Sequence, residues 1–261
     1  MNVTSLSASM VNTYRQCPYK FYCSYCLKLP RRGNAFMAFG SAFHAMAEEN
    51  WYQKRQTHTD LPIDLLTDFF AGELEDSDDV DWKEQEQTLD QTKDQGVKTV
   101  RAYQQKVAPG IQPKLVEHLW SMEIKNRDWV ITGKTDLIDS NDLVIDLKTT
   151  GRLPAKPRNG SAPKPKPEHR FQLSTYAMAW KAQTGKEVSG RLDYALRGTD
   201  KMMSLDVALE NTQSIVSTFD NVATSIIKEW WPIFRSHYLC SRKYCDFVSE
   251  CEKDCGGEVK K

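Results

Sequence analysis

The sequence predicts an α/β protein built around one charge-bearing central strand, on three observations. Residues 130–149 alternate β-branched and polar residues on both sides of Ser140-Asn141-Asp142, which marks an antiparallel hairpin. Apolar residues at helical spacing fill long stretches before and after it. A further strand pattern at 191–196 follows a helical stretch, so the order reads helices, three strands, helix, strand, helix.

Taken in order, Ser7 or Ser9 caps a short helix running through Tyr14 to Cys17, where Pro18 interrupts it. A second helix covers 35–54, with Phe36, Phe39, Phe43, Met46 and Ala47 on one apolar face. Residues 61–106 read as two more helices forming a lateral cap. The first strand spans 115–125, and the hairpin arms follow. A helix over 169–183 ends near Gly185, a residue type suited to a helix C-terminus. The strand at 191–196 has 203–207 beside it, and a long helix over 210–231 precedes a cysteine-rich tail.

The hairpin concentrates charge. With the turn centred on Asn141, Asp136 opposes Asp146, and directly opposed residues share a face with Cβ atoms about 4.5–5.5 Å apart. Lys148 lies two residues beyond Asp146 and joins that face. On an exposed strand such residues form a solvated ladder. Here the flanks are apolar (Val130, Ile131, Leu137, Ile138, Val144, Ile145, Leu147), which suits a central strand whose charges need partners or a metal ion. Two carboxylates and an ammonium at one point suit divalent-metal attack on a phosphodiester.

The chain has 261 residues, and its charges sum to zero but are segregated. Residues 60–94 hold thirteen acidic side chains against Lys83 and Lys93, a balance of −11 that leaves +11 for the rest. The clearest basic stretch holds Arg152, Lys156, Arg158, Lys164, Lys166 and Arg170, opposed only by Glu168 and interleaved with five prolines and Gly160. That composition gives an extended loop. It follows the Asp146-Leu147-Lys148 strand directly, which suits either a phosphate grip or a solvated linker. No apolar run is long enough to span a bilayer. The first residues lack the basic start and apolar core of a signal peptide, so no membrane association and a cytoplasmic location are expected.

Seven cysteines cluster at the two ends, Cys17, Cys23 and Cys26 near the start and Cys240, Cys245, Cys251 and Cys255 near the finish. An odd number in a cytosolic chain favours metal over disulfides. Iron–sulfur ligation, zinc and sulfur-rich burial are all open to such a set.

Five features together resemble the PD-(D/E)xK nuclease superfamily, and within it the RecB-like branch that includes CRISPR-associated exonucleases and the AddB-type nuclease domain. They are Gly40-Ser-Ala-Phe-His44, Gly133-Lys-Thr-Asp136, Asp146-Leu-Lys148, Gln172-Leu-Ser-Thr-Tyr176, and Cys17 followed far downstream by Cys240, Cys245 and Cys251. The resemblance implies a restriction-endonuclease-like core, a central mixed sheet flanked by helices. It implies one nuclease domain over 1–261, with a helical elaboration at 35–110, a catalytic α/β core at 111–207, and an iron–sulfur region from 1–28 with 236–261.

It further implies that Asp136, Asp146 and the Leu147 carbonyl bind Mg²⁺ or Mn²⁺, with His44 as a nitrogen ligand. Lys148 would be the catalytic lysine, and Gln172 and Tyr176 would line the site against substrate. Cys17, Cys240, Cys245 and Cys251 would hold a 4Fe–4S cluster. The expected activity is that of a metal-dependent DNA exonuclease on single-stranded or frayed ends, in recombination and repair, a phage-type system or CRISPR adaptation. A protein partner is expected too, because the sequence contains no Gly-x-x-x-x-Gly-Lys-Ser/Thr phosphate loop to drive unwinding. The alternatives are a DNA-end-binding module with little cleavage, and a structural subunit that docks a partner through its acidic helices and cysteine tail.

Overall fold

In chain order the computed structural model contains β1 (Ser5–Ser7), α1 (Ala8–Gln16), α2 (Pro18–Phe21), a π-helical turn (Tyr22–Cys26), α3 (Ala35–Thr57), α4 (Ile63–Glu75) and α5 (Leu89–Lys106). There follow β2 (Pro113–Glu123), β3 (Val130–Asp139), β4 (Val144–Thr150), α6 (Pro167–Thr184), β5 (Gly190–Leu196), β6 (Met202–Asp206), α7 (Thr212–Ile227) and α8 (Val248–Cys255). The structure describes residues 3–77, 80–83, 86–236, 239–242 and 244–259. Asp78, Asp79, Glu84 and Gln85 of the acidic segment, and His237, Tyr238, Lys243, Lys260 and Lys261 of the expected cysteine region, lie outside the described residues. The chain divides into two compact units, Met1–Arg32 with Ser121–Gly133 and Asn211–Lys261, and Gly33–Trp120 with Lys134–Glu210.

In the second unit the hairpin has the register the alternation predicts. Leu137 pairs with Ile145 and Ile138 with Val144, and the same register continued sets Asp136 against Asp146. Asp139 builds the turn: its Oδ1 accepts from the Asn141 and Leu143 backbone N–H groups at 2.8 and 2.9 Å. Asp142 takes φ 62°, a left-handed conformation that Asp and Asn tolerate better than most residues. β4 then runs parallel to β5, from Val144 beside Gly190 to Thr150 beside Leu196, and β5 is antiparallel to β6. The result is a mixed sheet with β4 between β3 and β5, and α6 is the crossover that a parallel pair requires.

One sheet face, with Leu137, Ile145, Leu147 and Ala195, is buried against Phe39, Phe43 and Met46 of α3, Leu66 and Phe70 of α4, and Val100 and Tyr103 of α5. Helices α4 and α5 meet at Gly96, where any Cβ would overlap the Phe70 ring. A buried polar cluster fastens the end of α3. Lys54 Nζ donates to Asp60 Oδ2 at 2.8 Å and to the Ala108 carbonyl at 2.7 Å, and Asn50 donates to Asp60 Oδ1 at 2.9 Å.

In the first unit β1 lies parallel to the start of β3, with Ser5, Leu6 and Ser7 beside Val130, Ile131 and Thr132. Ser7 also caps α1, its hydroxyl accepting from Met10 N at 3.2 Å. Trp231 stacks on Phe21 and Tyr22, and Tyr14 Oη donates to the Trp230 carbonyl at 2.7 Å. Helix α7 stops at Ile227, short of the expected 231: Lys228 leaves helical geometry and Glu229 takes φ 54°. Among the described residues no helix is long and apolar enough to cross a membrane.

Candidate active site

Three elements of the second unit converge on the hairpin. Helix α3 approaches β4 closely at Gly40, where an added Cβ would stand 3.2 Å from Thr149 Oγ1. One turn later α3 presents His44, whose Nδ1 lies 3.6 Å from Asp136 Oδ2. The backbone of Leu147 meets the first carboxylate: its N–H donates to Asp136 Oδ2 at 3.2 Å. Asp146 is fully buried. Lys148 Nζ sits astride its carboxylate, 2.9 Å from Oδ1 and 2.8 Å from Oδ2.

The electrostatics follow from that burial. Desolvation pushes the Asp136 and Asp146 carboxyls above the usual carboxylate range, with Lys148 opposing the rise in each. Burial works against the Lys148 charge, but Asp146 and Asp136 outweigh it and hold the ammonium above its ordinary value. Burial, with the nearby Lys148 charge, lowers His44 to about 4, so the ring is neutral at pH 7 with a lone pair to offer.

Helix α6 walls the other side. Gln172 Nε2 donates to Tyr176 Oη at 2.6 Å. The Tyr176 ring packs edge-on against Trp120 with centroids 6.0 Å apart, and Trp120 is anchored through Nε1–H to Thr135 Oγ1 at 3.0 Å. Burial, then the charges of Asp146 and Asp136, raise the Tyr176 phenol, which therefore stays protonated. Glu117, whose register the sequence leaves open, takes φ 50° in β2 and pairs with Lys134.

The expected set of His44, Asp136, Asp146, Leu147 and Lys148 is thus gathered at one place, with Gln172 and Tyr176 paired on α6. Two hard carboxylates, a neutral imidazole and a backbone carbonyl suit Mg²⁺ or Mn²⁺ in kind. Among the described residues, however, no three His, Cys, Asp or Glu side chains are drawn together as a metal cage. Lys148 takes up the Asp146 carboxylate instead. Arg152, Lys156, Arg158, Lys164, Lys166 and Arg170 are all exposed, and Arg170 reaches a carboxylate, Glu210, at 3.9 Å.

Sequence reasoning missed one polar pair. His169 precedes Gln172 by one helical step, a spacing that could have flagged it, and its Nδ1 lies 2.9 Å from Tyr194 Oη.

In the first unit Cys17, Cys240, Cys245 and Cys251 line one cavity, with Ile233 and Phe247 among its apolar walls. None of the seven cysteines is in a disulfide. Cys23 is buried in the adjoining apolar cluster with Tyr19 and Phe247. Burial pushes its thiol up to about 12, and Tyr19 offsets only part of that, so it makes a poor thiolate.

The PD-(D/E)XK nuclease superfamily profile matches residues 5–252. No curated protein matches the chain. Among solved structures, an Eubacterium rectale protein described as a candidate exonuclease is similar in fold, with TM-score 0.54 and 11% identity over 86% of this chain and 79% of its own. A protein named SSO0001 aligns over 97% of this chain and 88% of its own at 18% identity and TM-score 0.43.

Proposed function

Because this chain belongs to the PD-(D/E)XK nuclease superfamily, we propose that it is a metal-dependent deoxyribonuclease working from single-stranded or frayed DNA ends. The observation that carries this reading is the Lys148 ammonium astride the buried Asp146 carboxylate, in a register that sets Asp146 opposite Asp136. The candidate exonuclease of similar fold from Eubacterium rectale agrees with it.

Asp136, Asp146, His44 and the Leu147 carbonyl would hold Mg²⁺ or Mn²⁺. Such an ion supplies Lewis acidity and lowers the pKa of a bound water. The chain's own residues do the rest. Lys148 stays protonated, so it orients the attacking water and offsets charge gathering on phosphorus rather than acting as a free base. Tyr176, un-ionised and held by Gln172 and Trp120, donates a hydrogen bond towards the substrate strand. The exposed cations of the loop, Arg152, Lys156, Arg158, Lys164, Lys166 and Arg170, grip phosphates entering the site.

Cys17, Cys240, Cys245 and Cys251 line one cavity without being drawn together as a cage among the described residues. A 4Fe–4S cluster bound there would draw them in and staple the ends of the chain. A protein partner in recombination or spacer acquisition would supply opened DNA ends.

The test compares linear single-stranded DNA labelled at either end with the same sequence closed into a circle, in Mg²⁺ or Mn²⁺. Progressive loss of the linear strand with the circle spared is the expected result. Rapid cutting of the circle would replace the exonuclease reading with an endonuclease one.

A further inference from the structure

Beyond the residues that the proposed function uses, α6 carries a second polar group on its substrate-facing side. His169, Gln172 and Tyr176 follow helical spacing and share one face. Tyr194, the partner of His169, is fully buried on β5 directly beside Lys148 in the parallel register. Neighbours in register share a sheet face, so the phenol lies on the side of the sheet that carries Asp146 and Lys148. Its ring is tilted against the imidazole, with centroids 5.6 Å apart.

The protons in this pair can be assigned. The Tyr194 phenol is buried, and a buried O–H left without an acceptor is costly. A phenol has a single proton, and here it is donated to His169 Nδ1, 2.9 Å away. A neutral imidazole then carries its own proton on Nε2. Burial, together with the Lys148 and Lys166 charges, lowers His169 to about 3, so the neutral ring is the working form. Tyr194 lies beside Lys148 in register, which sets the His169 pair next to the hydrolytic centre. Tyr194 O–H and His169 Nε2–H thus form a relay of donors that ends in one fixed N–H. Lys166 is the N-cap of α6, where the basic loop ends, so His169 stands one turn from the root of that loop.

We propose that His169 contacts the DNA directly, its Nε2–H donating to a backbone phosphate oxygen flanking the scissile bond, with Tyr194 as the positioning residue that fixes the ring. This rests on the nuclease reading of the hairpin. A phosphate beside two carboxylates needs donors that do not depend on the metal, and a neutral N–H supplies one without adding a charge that would repel the ion.

The experiment uses the full chain with Mg²⁺ or Mn²⁺ and single-stranded DNA carrying a methylphosphonate at one phosphate flanking the cleaved bond. His169→Ala should lower kcat/KM by roughly tenfold to a hundredfold, the range for a hydrogen bond to a charged acceptor, with thermal stability near wild type. His169→Gln, which keeps an N–H donor, should recover most of the loss, and Tyr194→Phe should fall between.

The methylphosphonate should slow wild type at one position and leave His169→Ala no slower than on ordinary DNA. If His169→Ala does not fold, Tyr194→Phe carries the interference test, with a methylphosphonate penalty smaller than in wild type expected. Wild-type kcat/KM in His169→Ala, or an equal methylphosphonate penalty in both proteins, overturns the proposal and leaves a packing pair. Absence of metal-dependent cleavage by wild type counts against the hydrolytic centre itself, a result separable from any effect at His169.

Discussion

Asp136, Asp146 and Lys148 are held by strand register and by packing on both faces of β4, whereas Cys17, Cys240, Cys245 and Cys251 sit largely at helix ends and in loops. Cys17 joins α1 to α2 in an extended conformation, and Cys245 is tied by its N–H to the Ser241 carbonyl at 2.9 Å. The apolar cluster beside them is small, built on Tyr19, Cys23, Phe247 and Cys251. The contrast teaches where each site draws its order. The hairpin constellation is placed by the sheet and should persist with or without an ion. The thiol cavity has little core of its own, so its order should depend on what the thiols bind.

The sharpest way to break that comparison is Asp146→Asn. It removes the buried carboxylate that partners Lys148, so the metal-free fold should lose stability without unfolding, while cleavage and metal-induced stabilisation disappear. In wild type, metal at a hundredfold excess over its Kd should add about 2.7 kcal/mol, read as a rise in Tm that the variant lacks. Metal affinity should also fall as pH drops towards 5. Burial raises the Asp136 and Asp146 carboxyls, so protons compete with the ion above the ordinary carboxylate range. Wild type that unfolds when metal is chelated would show that the hairpin too depends on its ligand.

Cys251→Ser probes the other side. Hydrogen exchange over 17–26 and 248–255 should quicken by roughly a hundredfold, about 2.7 kcal/mol, while 136–150 keeps its protection. Uniform loss across both segments would erase the distinction between the regions.

Replacing Lys156, Arg158, Lys164 and Lys166 together by Ala sharpens the comparison in a third place, because this loop has neither sheet nor core to order it. The slope of log K against log salt for single-stranded DNA should flatten by about 0.7 for each phosphate that the loop no longer neutralises, with cleavage of bound DNA preserved. The smallest effect belongs to the turn. Asp142 is held down to about 2 by Lys114 and Lys186, below its unfolded value of about 3.9. Its stabilisation is therefore present above pH 4 and lost as pH falls towards 2. Asp142→Asn should lower Tm slightly at pH 7, and the difference should close over that acid window.

Much of the hairpin was legible because two kinds of information agree there. Period-2 alternation and a symmetric Ser-Asn-Asp turn both set Asp136 against Asp146, and a one-residue slip would have put the two carboxylates on opposite faces. Gly40 and His44 were legible only through the motif, since periodicity alone makes His44 another core residue. Three features escaped. β1 is three residues long, and one of them, Ser7, also caps α1. The bond from His169 to Tyr194 joins residues 25 apart on different elements, and no local pattern encodes that. Cysteine spacing could not tell Cys23, buried beside Tyr19, from the four thiols that share a cavity.

The most direct test of the hairpin as a hydrolytic centre is single-turnover degradation of end-labelled linear single-stranded DNA by wild type and Lys148→Ala, each with Mg²⁺ or Mn²⁺ and with chelator. Metal-dependent cleavage that slows by roughly a hundredfold to a thousandfold in the variant, with DNA affinity retained, is the predicted result. Equal rates in the two proteins, or tight binding with no cleavage in either, would contradict it.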